Sequence, residues 1–539
     1  MASTPLANLP RDCWLQILEC LPKDDLNNLS QVSHDVRASA EPFLYRSIHW
    51  DWQHPQVHEI LLLLRTISER PELAYYIWHI SFVWWNVESH TGEIVVPKGK
   101  LDWAKKMLEF RPTLRWARKV VRDAKFPANL DAKFVRRVND GDAYIYATLL
   151  VSQLHNLHSL RLDFSFVLEG GFPGEILHHS LFGNAPPGVL TRFSKLEMVD
   201  YGSNLPLTEF RESACPGNPY QFIPWFYLPC LKILEIWLPN VEGICVFSEQ
   251  MPRGPWRFSD LRSLVIAKTA VLPENIAKLL SQLPYLESLH VGLAYRCRTT
   301  IEFLNRPDCF LRSLETSSQT IKHLSISVEL LPCCIANFRL RLSDEASKPF
   351  RGMLKRFPKL KTASLPLNFL IGWGDTAHEL RDELPLTLEA LHIRPDLWPD
   401  SELIEFEMAT LVALESFMRH KEDGSHPYLR TFSYEGLHGC GMHELNALGL
   451  LEAEFNYSYL IKREAIHLFC LRRGYDLFSR YSDCTTGFML KHAMWEDNVA
   501  YWFPWPFAGL DELPASMPRE IRIRVRTDMN SNGSSSGGN

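Results

Sequence analysis

One short pattern recurs along most of the 539-residue chain and constrains its fold more than any other feature. Each copy has three apolar residues, at positions i, i+3 and i+5. Ten copies begin at Ile77, Leu157, Leu196, Leu231, Leu261, Leu286, Ile321, Leu360, Leu388 and Leu429, and from Leu157 on they are 25 to 41 residues apart. A single copy means little because leucine is common, but ten in tandem indicate an internal repeat.

Each copy predicts a short strand, because its last two apolar residues are two positions apart, as on one face of a strand. Helical segments precede several copies, for example at Leu149-Leu150 and Leu279-Leu280. A strand-and-helix unit cannot bury its apolar face alone, whereas stacked units share a core. The predicted fold class is therefore α/β, organised as a solenoid. The alternative is a doubly wound α/β enzyme domain, but no glycine-rich phosphate loop follows these strands.

Three of these segments, residues 154–162, 228–234 and 283–289, resemble leucine-rich repeats. The repeats are irregular, since their units are longer than the usual ~20–29 residues and the asparagine ladder is missing. The resemblance implies an irregular leucine-rich-repeat solenoid.

The first fifty residues predict three short helices instead. Pro10 lies near the start of the first helix, and Pro22 ends it. Asp24 is the expected cap of the second helix and Ser33 that of the third, which runs towards Tyr45. Helices this short cannot bury all their leucines among themselves, and such leftover apolar surface usually has a partner.

The order of apolar residues and prolines here resembles the F-box, in the form common in filamentous fungal proteins. The matching positions are Leu9-Pro10, Ile17-Leu18, Leu21-Pro22, Asp25-Leu26, Leu29, Val32-Ser33, Arg37 and Leu44-Tyr45-Arg46. The resemblance implies a non-catalytic substrate receptor of a cullin–RING ubiquitin ligase. Its F-box would bind a Skp-type adaptor, and through it a cullin, while the repeats hold an unknown target protein.

Carried over by position, the residues that contact the adaptor are Leu9, Pro10, Ile17, Leu18, Leu21, Leu26 and Leu29. Val32 and Arg37 match the motif as well and are expected to contribute more to internal packing than to docking. The alternative is that the module is a structural cap on the first repeat of a protein-binding scaffold that belongs to no ligase.

The expected organisation is an F-box at 1–50, a solenoid at 51–526 and a disordered tail at 527–539. Insertions are expected at about 83–143, 163–190 and 202–227, where long loops would emerge on one face and could form a binding surface. The first carries many lysines and arginines, a composition typical of a solvated helical face. Near the C-terminus we expect the aromatic cluster from Trp495 to Phe507 to close the array and a last strand at 521–525.

Composition and motifs exclude several function classes. The net charge of −6 gives no basic footprint for nucleic acid or an acidic membrane. With no secretory signal and no apolar run of ~20 residues, we expect a soluble protein of the cytoplasm or nucleus, with its twelve cysteines reduced. No catalytic or cofactor motif is found. The best metal candidate, His438, Cys440 and His443, lacks a fourth ligand, so no metal is expected.

Overall fold

The computed structural model describes residues 9–84, 109–204, 218–238, 258–269, 273–295, 314–330, 352–366, 369–370, 380–394, 426–429 and 431–434. The α-helices of this part are α1 (Arg11–Cys20), α2 (Lys23–Ser30), α3 (His34–Leu44), α4 (Val57–Glu69), α5 (Arg111–Asp123), α6 (Ala128–Asn139), α7 (Ala143–Val151), α8 (Phe164–Leu168), α9 (Phe172–Phe182) and α10 (Pro273–Ser281). The strands are β1 (Ser47–Asp51), β2 (His79–Val83), β3 (Ser159–Leu162), β4 (Met198–Tyr201), β5 (Ile233–Trp237), β6 (Ser263–Thr269), β7 (Ser288–Tyr295), β8 (His323–Leu330), β9 (Thr362–Pro366), β10 (Ala390–Arg394) and β11 (Thr431–Tyr434). The chain therefore combines helices and strands, as the sequence predicts.

Helices α1 to α3 form the N-terminal module, and their ends show which capping predictions hold. The Ser33 hydroxyl accepts a hydrogen bond from the backbone N–H of Val36, so the predicted cap of the third helix is confirmed. The predicted cap of the second helix is wrong. Pro22 occupies the N-cap position of α2, and Asp24 lies in its first turn, where a carboxylate still interacts favourably with the helix dipole.

The eleven strands form one parallel sheet in which each strand pairs with its neighbours in sequence, from β1 at one edge to β11 at the other. A doubly wound sheet reverses its strand order at a switch point, and the described strands contain no such reversal. Because parallel crossovers are right-handed, an unreversed order carries the successive connections over the same face of the sheet. The doubly wound alternative is therefore inconsistent with the strand order.

The strand register aligns the sequence repeat from one strand to the next. All ten copies of the pattern lie at the strands β2 to β11, so the strand predictions are confirmed. The second apolar residue of each copy pairs laterally with that of the next, and together they form a buried ladder of Ile80, Leu160, Val199, Leu234, Leu264, Leu289, Leu324, Ala363 and Leu391. This ladder lies in a continuous apolar core that runs from Ile48 to Leu429.

Strand β1 was not among the sequence predictions, although it carries the same pattern at Tyr45, Ile48 and Trp50. Ile48 is buried and pairs with Ile80, and the Trp50 ring stacks on that of Phe82. The copy is hidden in the sequence because Tyr45 also ends the helical module. The sheet thus begins immediately after α3.

Within residues 163–190, expected as an emerging insertion, the helices α8 and α9 pack into the core, whereas the stretch 183–189 is exposed or half-buried. Helix α9 buries Phe172, Ile176, Leu177 and Leu181, which lie on different sides of the helix. A helix that is apolar all round is stable inside a protein and not on its surface. The helices α8 and α9 are therefore part of the scaffold and not of an emerging loop.

A buried carboxylate holds this part of the scaffold together. Asp163 caps α8 by accepting the Ser165 N–H at 2.9 Å, and its other oxygen accepts from the Trp84 N–H and from the Asn204 side-chain amide at 3.1 and 2.6 Å. Burial raises the pKa of Asp163. The carboxylate thus satisfies donors from three separate segments in an interior where unpaired polar groups are costly.

Several expectations fall outside the described residues. They are the C-terminal aromatic cluster, the strand at 521–525, the tail and the metal candidate at His438, Cys440 and His443. In the segment 83–143, residues 109–143 form α5, α6 and the start of α7. The cationic side chains of α5 are exposed, as expected for a solvated helical face.

Candidate functional site

The N-terminal module has its own small core, separate from that of the sheet. Leu18, Leu26 and Ala40, one from each helix, are buried together. Half-buried side chains surround them: Trp14, Leu21, Leu29, Phe43 and Leu44. A core of this size leaves much of each helix exposed, which is the arrangement that the sequence predicts.

The structure divides the seven predicted adaptor-contact residues by their exposure. Leu9 and Ile17 are 38% and 39% exposed, and Pro10 is exposed as well. Leu21 and Leu29 are half-buried at the rim of the small core. In contrast, Leu18 is completely buried and Leu26 is 5% exposed, so both lie in the interior of the module and hold the helices together.

The exposed residues form a stripe along α1 that sequence reasoning identified only in part. Cys13, Ile17 and Cys20 follow one another at intervals of four and three residues, which places them on one face of α1. Leu9 is exposed just before the helix begins. The two cysteines are exposed free thiols. The helical spacing from Ile17 was the signal that could have added them to the predicted set. We call these four residues the α1 stripe.

Val32 was expected to contribute mainly to internal packing, and this expectation is wrong. Its side chain is 70% exposed in the turn between α2 and α3. The Val32 N–H donates a hydrogen bond to the carbonyl of Leu29 and so stabilises the turn. This backbone bond does not involve the Val32 side chain. Val32 therefore adds to the exposed apolar surface of the module.

Arg46 fixes the module to the sheet. Its guanidinium donates to the Glu19 carboxylate of α1 at 2.6 Å and lies 4.6 Å from the centre of the Trp78 ring, which precedes β2. Its carbonyl accepts hydrogen bonds from the N–H groups of Trp78 and His79. Arg46 thus connects the N-terminal module to the sheet through both its side chain and its backbone.

A second link joins α3 to the segment after α4. Both terminal nitrogens of Arg70 donate to the Glu41 carboxylate at 2.8 Å, a bidentate geometry. The hydrogen bond from Arg70 holds the pKa of Glu41 below its usual value. Because two links act at different points of the module, they oppose its rotation relative to the sheet.

A row of polar residues also crosses the sheet. On each strand that contributes to the row, the polar residue stands between the second and the third apolar residue of the repeated pattern. Arg161, Asp200 and Glu235 are lateral neighbours on β3, β4 and β5 and are all nearly buried. Arg161 donates to Asp200 at 3.1 Å. Oε2 of Glu235 accepts no hydrogen bond within the described part of the chain. Burial, and then the charge of Asp200, raise the pKa of Glu235 to about 8.

His290 continues this row on β7. Its Nδ1 lies 2.8 Å from the Ser325 hydroxyl of β8, and burial lowers its pKa to about 3. The imidazole is therefore neutral at physiological pH. Glu235 and His290 lie on strands separated by β6 and are not in hydrogen-bond contact. The row does pair His290 with the Ser325 hydroxyl, but a pKa of about 3 makes this imidazole a poor general base for activating a serine.

The described residues lack two other kinds of functional feature. They contain no group of three His, Cys, Asp or Glu side chains placed to hold a metal ion. None of their helices combines the length and the apolar character needed to cross a membrane.

Comparison with known proteins identifies the N-terminal module. Residues 6–40 match the family model of the F-box domain. No curated protein matches the chain. F-box domains bind Skp-type adaptors, and proteins that carry them are generally adaptor subunits and not catalysts. The F-box thus indicates a role in substrate recognition by a ubiquitin ligase of the Skp–cullin–F-box type.

Proposed function

We propose that this chain is a substrate-receptor subunit of a cullin–RING ubiquitin ligase, in which the F-box binds a Skp-type adaptor and the repeat region binds a target protein. The observation that carries the proposal is the α1 stripe. It is apolar, exposed and not part of the small core. Apolar residues exposed together on one helix face are typical of a surface that is covered in a complex.

Within this proposal the seven predicted residues have two roles. Leu9, Pro10 and Ile17 contact the adaptor directly, and the rim residues Leu21 and Leu29 become further buried on docking. Leu18 and Leu26 support this surface from beneath by fixing the angles between the helices. Val32, Cys13 and Cys20 join the docking surface because of their exposure.

We further propose that the sheet is an irregular leucine-rich-repeat solenoid that holds the target. The sequential order of the strands and the lateral alignment of the repeated apolar residues support this interpretation. Stacked repeats present a long, continuous surface, which suits the binding of another protein. The target itself would be recognised by surface side chains that stacking brings together.

The mechanism that follows is proximity. A target on the repeats and a conjugating enzyme on the cullin would be parts of one assembly, so the target lysine reaches a high effective concentration near the reactive thioester. The gain depends on a defined distance between the two binding surfaces. The links through Arg46 and Arg70 support such a defined geometry.

Co-purification with a Skp-type adaptor tests the proposal. The informative variant is Leu9→Asp plus Ile17→Asp, because both side chains are exposed and the substitutions leave the small core intact. A matched control is Leu386→Asp plus Tyr428→Asp, two side chains that are 63% and 59% exposed outside the F-box. We expect the adaptor to co-purify with the wild type and the control and to be lost from the first variant. Undiminished binding by the first variant would contradict the docking model.

A second candidate is a protein-binding scaffold outside any ligase, with the F-box as a structural cap. One observation favours it: α3 leads directly into β1, an edge strand of the described sheet, and Arg46 links α1 to the start of β2. A cap protects such an edge. In this case the adaptor would not bind even the wild type, whereas removal of the F-box would lower the melting temperature of the sheet.

A further inference from the structure

Helix α5 has an unusual charge distribution. Its thirteen residues include Arg111, Arg115, Arg118, Lys119 and Arg122, with Asp123 as the one carboxylate, which gives the helix a net charge of +4. The whole chain has a net charge of −6. Positive charge is thus concentrated on one element of an otherwise acidic protein.

The five cationic side chains share one face of α5. At about 100° per residue they lie within an arc of about 100°. All five are exposed, whereas Leu114, Ala117 and Val121 on the other side are buried in the core. Arg115, Trp116, Arg118, Lys119 and Arg122 line an open groove of about 430 Å³. We call this surface the α5 basic face.

The charges of the α5 basic face are not neutralised within the described part of the chain. Arg111, Arg115, Lys119 and Arg122 form no ion pair there. Arg118 donates to the side-chain oxygen of Asn139 at 2.7 Å, and this acceptor is uncharged. Like charges three and four residues apart repel one another on a helix. An anionic occupant would therefore replace repulsion with attraction.

We propose that the α5 basic face binds an extended acidic segment of a partner protein, with Asp or Glu at alternate positions. Along the helix axis, Arg111, Arg115, Lys119 and Arg122 are separated by about 6, 6 and 4.5 Å. Alternate side chains of an extended peptide point the same way at intervals of about 6.6 Å. Successive carboxylates can therefore meet successive cations. This binding surface does not depend on the adaptor-docking proposal.

Two other anionic surfaces fit the α5 basic face less well. A helix that lies on a membrane inserts its apolar side, but the apolar side of α5 is buried in the core. Duplex DNA presents one charge per about 1.7 Å of its axis, much denser than the cations of α5, and the net negative charge of the chain repels it. An acidic peptide requires neither a free apolar side nor so high a charge density.

Fluorescence anisotropy of a labelled peptide with alternating Glu and Ser, titrated with the full chain, tests this inference. The variant is Arg115→Gln, Lys119→Gln plus Arg122→Gln. The control is Arg192→Gln, Lys195→Gln plus Lys359→Gln, which removes the same charge from three exposed positions elsewhere. Because each exposed ion pair contributes modestly, we expect the three losses together to weaken binding about tenfold. The control should bind like the wild type, and added salt should weaken binding.

Equal weakening by the variant and the control would overturn the proposal, because binding would then depend on net charge and not on the α5 basic face. Failure of the wild type to bind the Glu peptide any better than its Gln counterpart would overturn it too. If a 20-base-pair duplex or a phosphatidylserine vesicle displaces the peptide and binds more tightly, the assigned class of partner is wrong. Unchanged melting temperatures confirm that both variants fold.

Discussion

Two neighbouring residues of α1 separate packing from docking, because Leu18 is completely buried and Ile17 is 39% exposed. Replacing a buried leucine by alanine costs about 2–5 kcal/mol, so we expect Leu18→Ala to lower the free energy of unfolding of the F-box by about 3 kcal/mol. Ile17→Ala is a substitution of a partly exposed residue and should change this free energy by about 0.5 kcal/mol or less.

The effects of the same two substitutions on adaptor binding should differ in origin. Full burial of an isoleucine side chain is worth about 1.5–3 kcal/mol, and two-fifths of that surface remains exposed before docking. Ile17→Ala should therefore weaken adaptor binding by about 0.6–1.2 kcal/mol, which is roughly threefold to eightfold. Leu18→Ala should weaken binding indirectly, through the smaller folded fraction of the module.

Native-state hydrogen exchange distinguishes the two effects residue by residue. For Leu18→Ala we expect exchange of the α1 to α3 amides to accelerate by about two orders of magnitude, with no change in the sheet, since the two cores are separate. For Ile17→Ala we expect nearly unchanged exchange together with weaker binding. If Ile17→Ala accelerated exchange as much as Leu18→Ala, the assignment of Ile17 to a docking surface would be refuted.

Three further predictions concern the scaffold. Because the folded state raises the pKa of Glu235 to about 8, the protein should lose stability as the pH rises from about 4.5 to 8, by at most about 1.4 kcal/mol per pH unit. Glu235→Gln should flatten this dependence in urea unfolding at several pH values, and parallel wild-type and variant curves would contradict it. Asp163→Ala leaves three buried donors unpaired, so calorimetry should show a loss of about 3 kcal/mol or more. Arg46→Ala removes an exposed ion pair and a cation–π contact, and we expect a loss of about 1 kcal/mol in thermal unfolding, with looser coupling of the F-box to the sheet in small-angle scattering.

The strands could be predicted from the sequence because each one repeats the same local signal. An apolar spacing that recurs ten times specifies where strands form, and right-handed parallel crossovers restrict how they are ordered. The copy at Tyr45, Ile48 and Trp50 escaped prediction because its first residue is also the C-cap of α3. The helices at 163–190 escaped because glycines and prolines suggested a loop, whereas burial of aromatic residues decides the conformation there.

The docking residues could be predicted only in part, because a motif records which residues occur and not which of them face outward. Leu18 and Ile17 are adjacent in the motif but point to opposite environments. Helical spacing would have separated them, since Cys13, Ile17 and Cys20 share a face of α1, and Leu18 is turned about 100° from Ile17. The polar row of Arg161, Asp200 and Glu235 depends on lateral strand pairing, which local sequence does not specify.

Alkylation of the exposed cysteines tests the central claim, that the α1 stripe is the adaptor-docking surface. Cys13 and Cys20 lie on the stripe, and Cys230 is an exposed thiol outside the F-box that serves as an internal control. Mass spectrometry gives the rate of iodoacetamide labelling at each thiol with and without a saturating Skp-type adaptor. We predict that the adaptor slows labelling of Cys13 and Cys20 and leaves that of Cys230 unchanged. Equal labelling of Cys13 and Cys20 in the free and adaptor-saturated protein would contradict the claim.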